Sequence, residues 1–113
     1  MKEIKAIIQP HMLSRVREAL EELPHFPGMT VTKCCGLGRG RGQGGSFVQT
    51  EDELQYHERE CLVIVCVTEQ SAEIAKVIAS KAHTGNPGDG IITISDIAVV
   101  TRIRTGQTGS DAV

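Results

Sequence analysis

Aromatic side chains are almost absent from this sequence, which has one Tyr, two Phe and no Trp among its 113 residues. Proteins that recognise RNA on a β-sheet stack bases on aromatic side chains of that sheet, and none of these three residues lies in a predicted strand. An excess of basic charge is also missing, since 12 Lys and Arg face 14 Asp and Glu, for a net charge of -2. Both shortages argue against nucleic-acid binding.

Long apolar runs are absent as well. No run approaches the roughly 18 residues of a membrane span, and Met1–Lys5 lacks the apolar core of a signal peptide. We therefore predict a cytoplasmic protein, folded as a single domain over residues 1–113. The four cysteines, Cys34, Cys35, Cys61 and Cys66, show no C-x-x-C spacing, which favours reduced thiols.

Ile and Val are plentiful, and the chain contains 21 of them. Such β-branched residues favour a sheet over an all-helical bundle. Hydrophobic periodicity predicts four strands and two helices, in the order β-α-β-β-α-β. The predicted strands cover 2–8, 29–35, 61–67 and 91–104, the last interrupted at Asp96, and the predicted helices cover 12–23 and 71–83. This order predicts an α+β, ferredoxin-like sandwich.

The predicted strand at 61–67 is nearly all apolar, which is typical of a central strand covered on both faces. Both helices of a ferredoxin-like fold lie on one face of the sheet, and a chain of this length has nothing left to cover the other. We therefore expect self-association through the second face.

Two glycine-rich segments do not fit the scaffold. Residues 36–60 make a long connection between strands, and its first ten residues contain six of the 12 glycines. Residues 84–90 (TGNPGDG) make a second, tight connection. Glycine lets successive backbone N–H groups face one anion, and Arg39 and Arg41 add positive charge. The alternative for 36–60 is a flexible linker.

Several motifs together resemble the PII signal-transduction family. The resemblance rests on the opening strand at 1–8, the helix at 16–20, the second strand at 28–32, the GLGR motif at 36–39, TGNPGDG at 84–90 and RIRTG at 102–106. Their order and spacing match the family nearly from end to end. In the family's terms, about 36–60 is the T-loop, 84–90 is the B-loop and 102–113 is the C-terminal segment.

The resemblance implies a non-enzymatic homotrimer that binds an adenine nucleotide, ATP, ADP or AMP, between subunits. It would signal through the T-loop conformation to a target protein, which could be a membrane transporter. Arg102 and Arg104 would reach in from the neighbouring subunit, and their i, i+2 spacing independently suits a phosphate site. The alternative for these two is a solvated strand edge. The implied nucleotide-binding residues are Thr30, Gly36, Leu37, Gly38, Arg39, Val65, Gly88, Asp89, Gly90, Arg102 and Arg104.

Four departures from the family pattern point to a changed effector. Gly40 replaces a glutamine that ligates magnesium beside 2-oxoglutarate, Arg59 replaces a lysine, Ile91 follows the B-loop where a lysine is common, and Asp52 replaces the apex tyrosine. We therefore expect a small anion such as bicarbonate as second effector, with the need for magnesium left open. The predicted effector-binding residues are Arg39, Gly40, Arg41 and Arg59.

Three alternatives stay open on the sequence. A regulator linked to metal efflux would use the four cysteines as ligands, and an ordinary nitrogen-status PII regulator would keep 2-oxoglutarate. A small nucleotide hydrolase would need a general base, for which Asp89 and Asp96 are the candidates beside a strand. Because Cys35 and Cys61 flank the T-loop, a hairpin would also bring these two close enough for a redox link.

Overall fold

A computed structural model of the chain describes residues 1–37 and 56–113. The strands are β1 (Lys2–Ile8), β2 (Thr30–Gly36), β3 (His57–Cys66) and β4 (Gly90–Asp96), and the helices are α1 (Leu13–Glu21) and α2 (Thr68–Ala82). Short 3-10 turns cover Pro10–Met12 and Gly109–Ala112. The predicted α+β, ferredoxin-like order is therefore confirmed. Within the described residues, neither helix is long and apolar enough to cross a membrane.

The element boundaries differ from the prediction mainly at β3. This strand begins at His57, so residues that were predicted to belong to the T-loop pair with β2 instead. The charged run from Glu58 to Glu60 conceals the strand from a hydrophobicity pattern. The first helix begins as a 3-10 turn at Pro10, because proline suits a first helical position. The last strand ends at Asp96, where the interruption was predicted.

The four strands form one antiparallel sheet in the order β2-β3-β1-β4. Ile8, at the end of β1, pairs with Glu60 of β3 on one side and Gly90 of β4 on the other. The T-loop and the B-loop therefore leave the sheet at the same end, which we call the loop end. Lys2 pairs with Cys66 and Asp96 at the other end, which we call the far end.

The core lies between the sheet and the two helices. Residues on one face of β1 and β3 alternate with residues on the other, and those on the helix face are buried from Ile4 to Ile8 and from Glu60 to Cys66. The buried core consists of Ile4, Ala6, Ile8, Val16, Leu20, Leu62, Ile64, Cys66, Ile74, Ile78 and Ala82. Burying an aliphatic side chain contributes about 1.5–3 kcal/mol, so this layer accounts for much of the stability.

The second face of the sheet is open. Cys61, Val63 and Val65 of β3 are only half-buried there, and Ile91 of β4 is 61% exposed. The prediction that both faces of β3 are covered is thus wrong for the chain by itself, because both helices pack on one face. The same face also carries the charged Glu3 and Lys5 of β1, so it is a mixed surface whose apolar part suits a contact with another chain.

Candidate functional site

The base of the T-loop meets the B-loop at the loop end of the sheet. The Gln9 side-chain amide donates a hydrogen bond to the Gly88 carbonyl at 2.8 Å. A Cβ atom on Gly88 would lie 3.1 Å from Nη2 of Arg59 and 3.1 Å from Nε2 of Gln9, and the residue has φ +94°. Glycine therefore lets the B-loop approach both side chains. Gln9 was not identified from the sequence as a site residue. Its position directly after β1, at the loop end, was the available signal.

Arg59 extends from β3 on the open face of the sheet. Its Nη1 atom donates to the Glu58 carbonyl at 2.7 Å, which leaves Nη2 beside the B-loop. The predicted effector-binding residue and the predicted nucleotide-binding Gly88 are thus neighbours. The other effector candidates, Gly40 and Arg41, lie outside the described residues, as do Gly38 and Arg39.

Asp89 holds the B-loop together with its side chain. The carboxylate accepts hydrogen bonds from the backbone N–H of Thr84 at 2.8 Å and of Gly85 at 3.0 Å, and from the Thr84 hydroxyl. These hydrogen bonds, that of the hydroxyl above all, lower the pKa of Asp89 because they stabilise its ionised form. The carboxylate is therefore engaged inside the loop, with the loop's own backbone and hydroxyl groups as its partners.

Gly90 joins the B-loop to β4 where two backbones pass very close. A Cβ atom at this position would lie 1.8 Å from the Ile7 carbonyl oxygen, and the residue has φ +115°. Only glycine adopts such a conformation without strain and leaves room for the neighbouring strand. Gly90 thereby sets both the register of β4 and the position of the B-loop.

The remaining candidates on β2 and β3 are spread along the open face. Thr30 begins β2 opposite Val63, and Val65 lies two residues further along β3. Gly36 ends β2 opposite His57 at the loop end, and an exposed Leu37 follows. Six residue steps separate Thr30 from Gly36, or about 20 Å along the strand. An elongated ligand could follow this edge of the sheet.

Arg102 and Arg104 lie in a C-terminal hairpin that Thr101 and Thr108 close by a β-bridge. The Arg102 side chain donates to the carbonyl of Ala112 at 3.3 Å. Ser110 and Val113, close to Ala112 in the sequence, border a cavity of about 450 Å³ at the far end of the sheet. The other residues that line it are Pro24, His25, Pro27, Val67, Gln70 and Glu73. The two arginines and the B-loop of one chain therefore lie at opposite ends of the sheet.

The strand register and alternation divide the four cysteines between the two faces of the sheet, with Cys34 and Cys61 on the open face and Cys35 and Cys66 on the helix face. Cys35 lies opposite Glu58 and Cys61 opposite Thr32, which puts these two thiols on different faces. The predicted Cys35–Cys61 proximity is therefore wrong, because the hairpin register differs from a simple closure of the loop. Cys66 is buried at the far end, about 17 Å from Cys61 along β3. The metal-efflux alternative thus finds no common site for the four thiols, and no cluster of three potential ligands occurs in residues 1–37 and 56–113.

Cys34 is the one cysteine beside the T-loop base on the open face, directly opposite Arg59. Burial raises the pKa of the Cys34 thiol, and the neighbouring Cys61 raises it further. Both effects disfavour the thiolate, which is the form that binds metal and attacks disulfides. The positive charge of Arg59 acts in the opposite direction but is the smallest of these effects on the pKa of Cys34.

A buried carboxyl group, that of Glu60, lies on the helix face of β3, next to Arg59 in the sequence. Glu60 is 7% exposed, and its Oε2 atom has no hydrogen-bond partner in the part of the chain that the structure describes. It faces the helices, opposite Ile8 and Lys33, and borders a cavity of about 160 Å³. Sequence reasoning missed this residue, although Glu60 falls in the same alternation as the buried Leu62 and Ile64.

The comparisons with known proteins agree with the resemblance that the sequence motifs indicated. The family model described as nitrogen regulatory protein P-II matches residues 1–107. The nitrogen regulatory protein P-II of Rhizobium meliloti is 38% identical over 113 residues, which cover both chains completely. Nitrogen regulatory protein P-II 2 of Methanothermobacter thermautotrophicus is 40% identical over all of this chain and 97% of that protein. The chain therefore belongs to the nitrogen regulatory protein P-II family, a family of non-enzymatic regulators in signal transduction.

Proposed function

We propose that this protein is a cytoplasmic homotrimer that binds an adenine nucleotide between neighbouring subunits and signals to a target protein through its T-loop. The main support is the separation of the two halves of the candidate site. The B-loop lies at the loop end and the Arg102 hairpin at the far end, about 20 Å apart along β1. A second subunit that brings its far end to the loop end of the first would complete a phosphate site.

The open face of the sheet supports assembly. Ile91, Ile7 and Cys61 lie side by side across this face, and Val63 and Val65 follow along β3 opposite Lys5 and Glu3. Burying such surface contributes roughly 25 cal/mol per Å². Association also hides apolar side chains that a stable monomer would leave in water. The same contact would hold the subunits in register at their shared clefts.

Charge and hydrogen-bonding capacity suit the phosphates of ATP, ADP or AMP. The two arginines supply guanidinium groups, which form paired hydrogen bonds with phosphate oxygens. The B-loop supplies backbone N–H groups near Gly88 and Gly90, both of which have positive φ. Asp89 is a poor general base, because its carboxylate already accepts three hydrogen bonds. This engagement of Asp89 supports a proposal of binding without hydrolysis.

The proposed assembly and ligand are tested together by light scattering and calorimetry. We expect a mass close to three times 12.2 kDa and one ATP or ADP bound per subunit. GTP serves as the control titrant, because it carries the same phosphates on a different base. A monomer at micromolar concentration, or no heat with any adenine nucleotide, would contradict the proposal.

We also propose a small anion, such as bicarbonate, as the second effector near Arg59. Nη2 of this arginine lies beside Gly88, and the Gln9 amide reaches the same point. A planar oxyanion can accept hydrogen bonds from a guanidinium group without a bridging metal. Gly40 has no side chain with which to hold magnesium for a larger ligand.

Separate titrations of bicarbonate and 2-oxoglutarate into the ATP-loaded protein show which of the two is the second effector. We expect bicarbonate binding that is independent of magnesium and lost in Arg59→Gln, because the variant removes the positive charge. Arg15→Gln, an exposed site on α1, is the matched control. Micromolar 2-oxoglutarate binding that requires magnesium would refute this effector and favour an ordinary nitrogen-status regulator.

A further inference from the structure

The two candidate phosphate-binding arginines differ in their surroundings. The Arg102 side chain is half-buried, and it donates from Nε to the Ala112 carbonyl at 3.3 Å and from Nη1 to Oε1 of Gln107 at 3.3 Å. Arg104 is exposed and makes no side-chain hydrogen bond or ion pair with the described residues. The C-terminal segment of the same chain thus occupies one arginine and leaves the other free.

Gln107 is the centre of this arrangement. Its side-chain oxygen accepts from Arg102 and also from the Thr105 hydroxyl at 3.0 Å. Its backbone carbonyl accepts from the Arg102 N–H at 2.8 Å, which closes the hairpin. A second backbone bond, from Gly109 N–H to the Val100 carbonyl at 3.1 Å, places the turn that follows. The Arg102 guanidinium group therefore has two neutral oxygen acceptors, Oε1 of Gln107 in the hairpin and the carbonyl oxygen of Ala112 in the C-terminal turn.

We propose that the C-terminal turn, Gly109–Ala112, together with Gln107 is an internal ligand that competes with nucleotide phosphate for Arg102. This inference rests on the proposed nucleotide site. Both contacts are long, at 3.3 Å, and have neutral acceptors, whereas phosphate carries a charge opposite to that of the guanidinium group and accepts two parallel hydrogen bonds from it. Phosphate therefore displaces the two oxygens, and the C-terminal turn loses its contact with Arg102.

The displacement has a structural consequence at the far end of the sheet. Ser110 and Val113, on either side of Ala112, border the cavity of about 450 Å³ beside α2. Opposite them, Gln70 of α2 donates to the carbonyls of Pro24 at 3.2 Å and His25 at 3.1 Å, which holds that wall in place. Release of the turn changes only the C-terminal wall. Nucleotide occupancy is thereby reported at the C-terminus as well as at the T-loop.

Hydrogen exchange without nucleotide tests whether Arg102 holds the turn. In Arg102→Ala, we expect the amides of residues 109–113 to exchange about three to ten times faster, the factor that one hydrogen bond represents. Arg104→Ala is the matched control and should leave these amides unchanged. Equal exchange in both variants and in the wild type would overturn the proposal, whatever the protein binds.

ATP titration of two further variants tests the competition itself. Gln107→Ala and a chain truncated after Gly109 each remove one acceptor of Arg102, so each should bind ATP about two- to ten-fold more tightly. Weaker or unchanged binding would overturn the competition alone. If the wild type binds no ATP, the proposed function fails as well, so the two failures are distinguishable.

Discussion

Replacing Gly90 with alanine should lower the free energy of unfolding by at least about 4 kcal/mol. This is a large part of the total of about 5–15 kcal/mol that stabilises a typical domain. The new Cβ atom would lie 1.8 Å from the Ile7 carbonyl oxygen and 2.9 Å from its carbon. Neither atom can move aside, because Ile7 belongs to the central strand β1. The positive φ of +115° adds strain, so the change separates β4 from the sheet. Urea unfolding followed by far-UV circular dichroism measures the loss.

Two other glycines serve as controls that separate the causes. Gly28 has φ +100° but nothing within 4 Å of an added Cβ, so Gly28→Ala should cost only the backbone strain, about 1–3 kcal/mol. Gly36 has neither a close neighbour nor a positive φ, and Gly36→Ala should change stability little. Equal losses for Gly90→Ala and Gly28→Ala would show that the contact with Ile7 is not the cause.

Removing both Arg102 and Arg104 should weaken ATP binding by about 150-fold or more. Hydrogen bonds to charged groups contribute about 1.5–3 kcal/mol each, so two lost contacts amount to at least about 3 kcal/mol. Arg104→Ala by itself reports one contact cleanly, because Arg104 makes no side-chain bond within the described chain. Calorimetry with ATP measures the affinities.

The matched control for this pair is Arg15→Ala with Arg17→Ala. Both arginines are exposed on α1, and the double change removes the same total charge. Its affinity for ATP should stay within about twofold of the wild type, since screening weakens charges that are far from the site. If the double variant at Arg102 and Arg104 binds ATP as tightly as this control does, the phosphates do not bind at these two arginines.

Hydrophobic patterning predicted the scaffold well, because buried residues recur every second position in a strand and about every 3.6 positions in a helix. The apolar run at 61–67 and the stripe of Ile74 and Ile78 mark β3 and α2, and the structure has both. The same signal fails for residues 57–60, where a strand carries charged side chains at its solvated end. The inward direction of Glu60 follows from the alternation of Leu62 and Ile64, but only when the strand is known to extend back to His57.

Hydrogen-bond partners within the site were not predictable from the pattern. Gln9 contacts the B-loop only because Ile8 pairs with Gly90, and the faces of Cys35 and Cys61 follow from the pairing of β2 with β3. The family motifs led to the prediction of a ligand site at these loops, because glycine and arginine carry their chemistry in any context. The role of the Asp89 side chain and the contacts of Arg102 required coordinates.

The pairing of β2 with β3 also makes the chain suitable for carrying foreign sequence. Seven residue pairs, from Thr30 with Val63 to Gly36 with His57, hold these two strands together without help from the segment between them. Paired residues of this kind have Cα atoms about 4.5–5.5 Å apart, so an inserted peptide would start and finish almost at one point. Doubling the length of such an insert costs only about 0.6 kcal/mol in closure entropy. Antigenic epitopes or binding peptides could therefore be grafted between Gly36 and His57 and displayed from a common base.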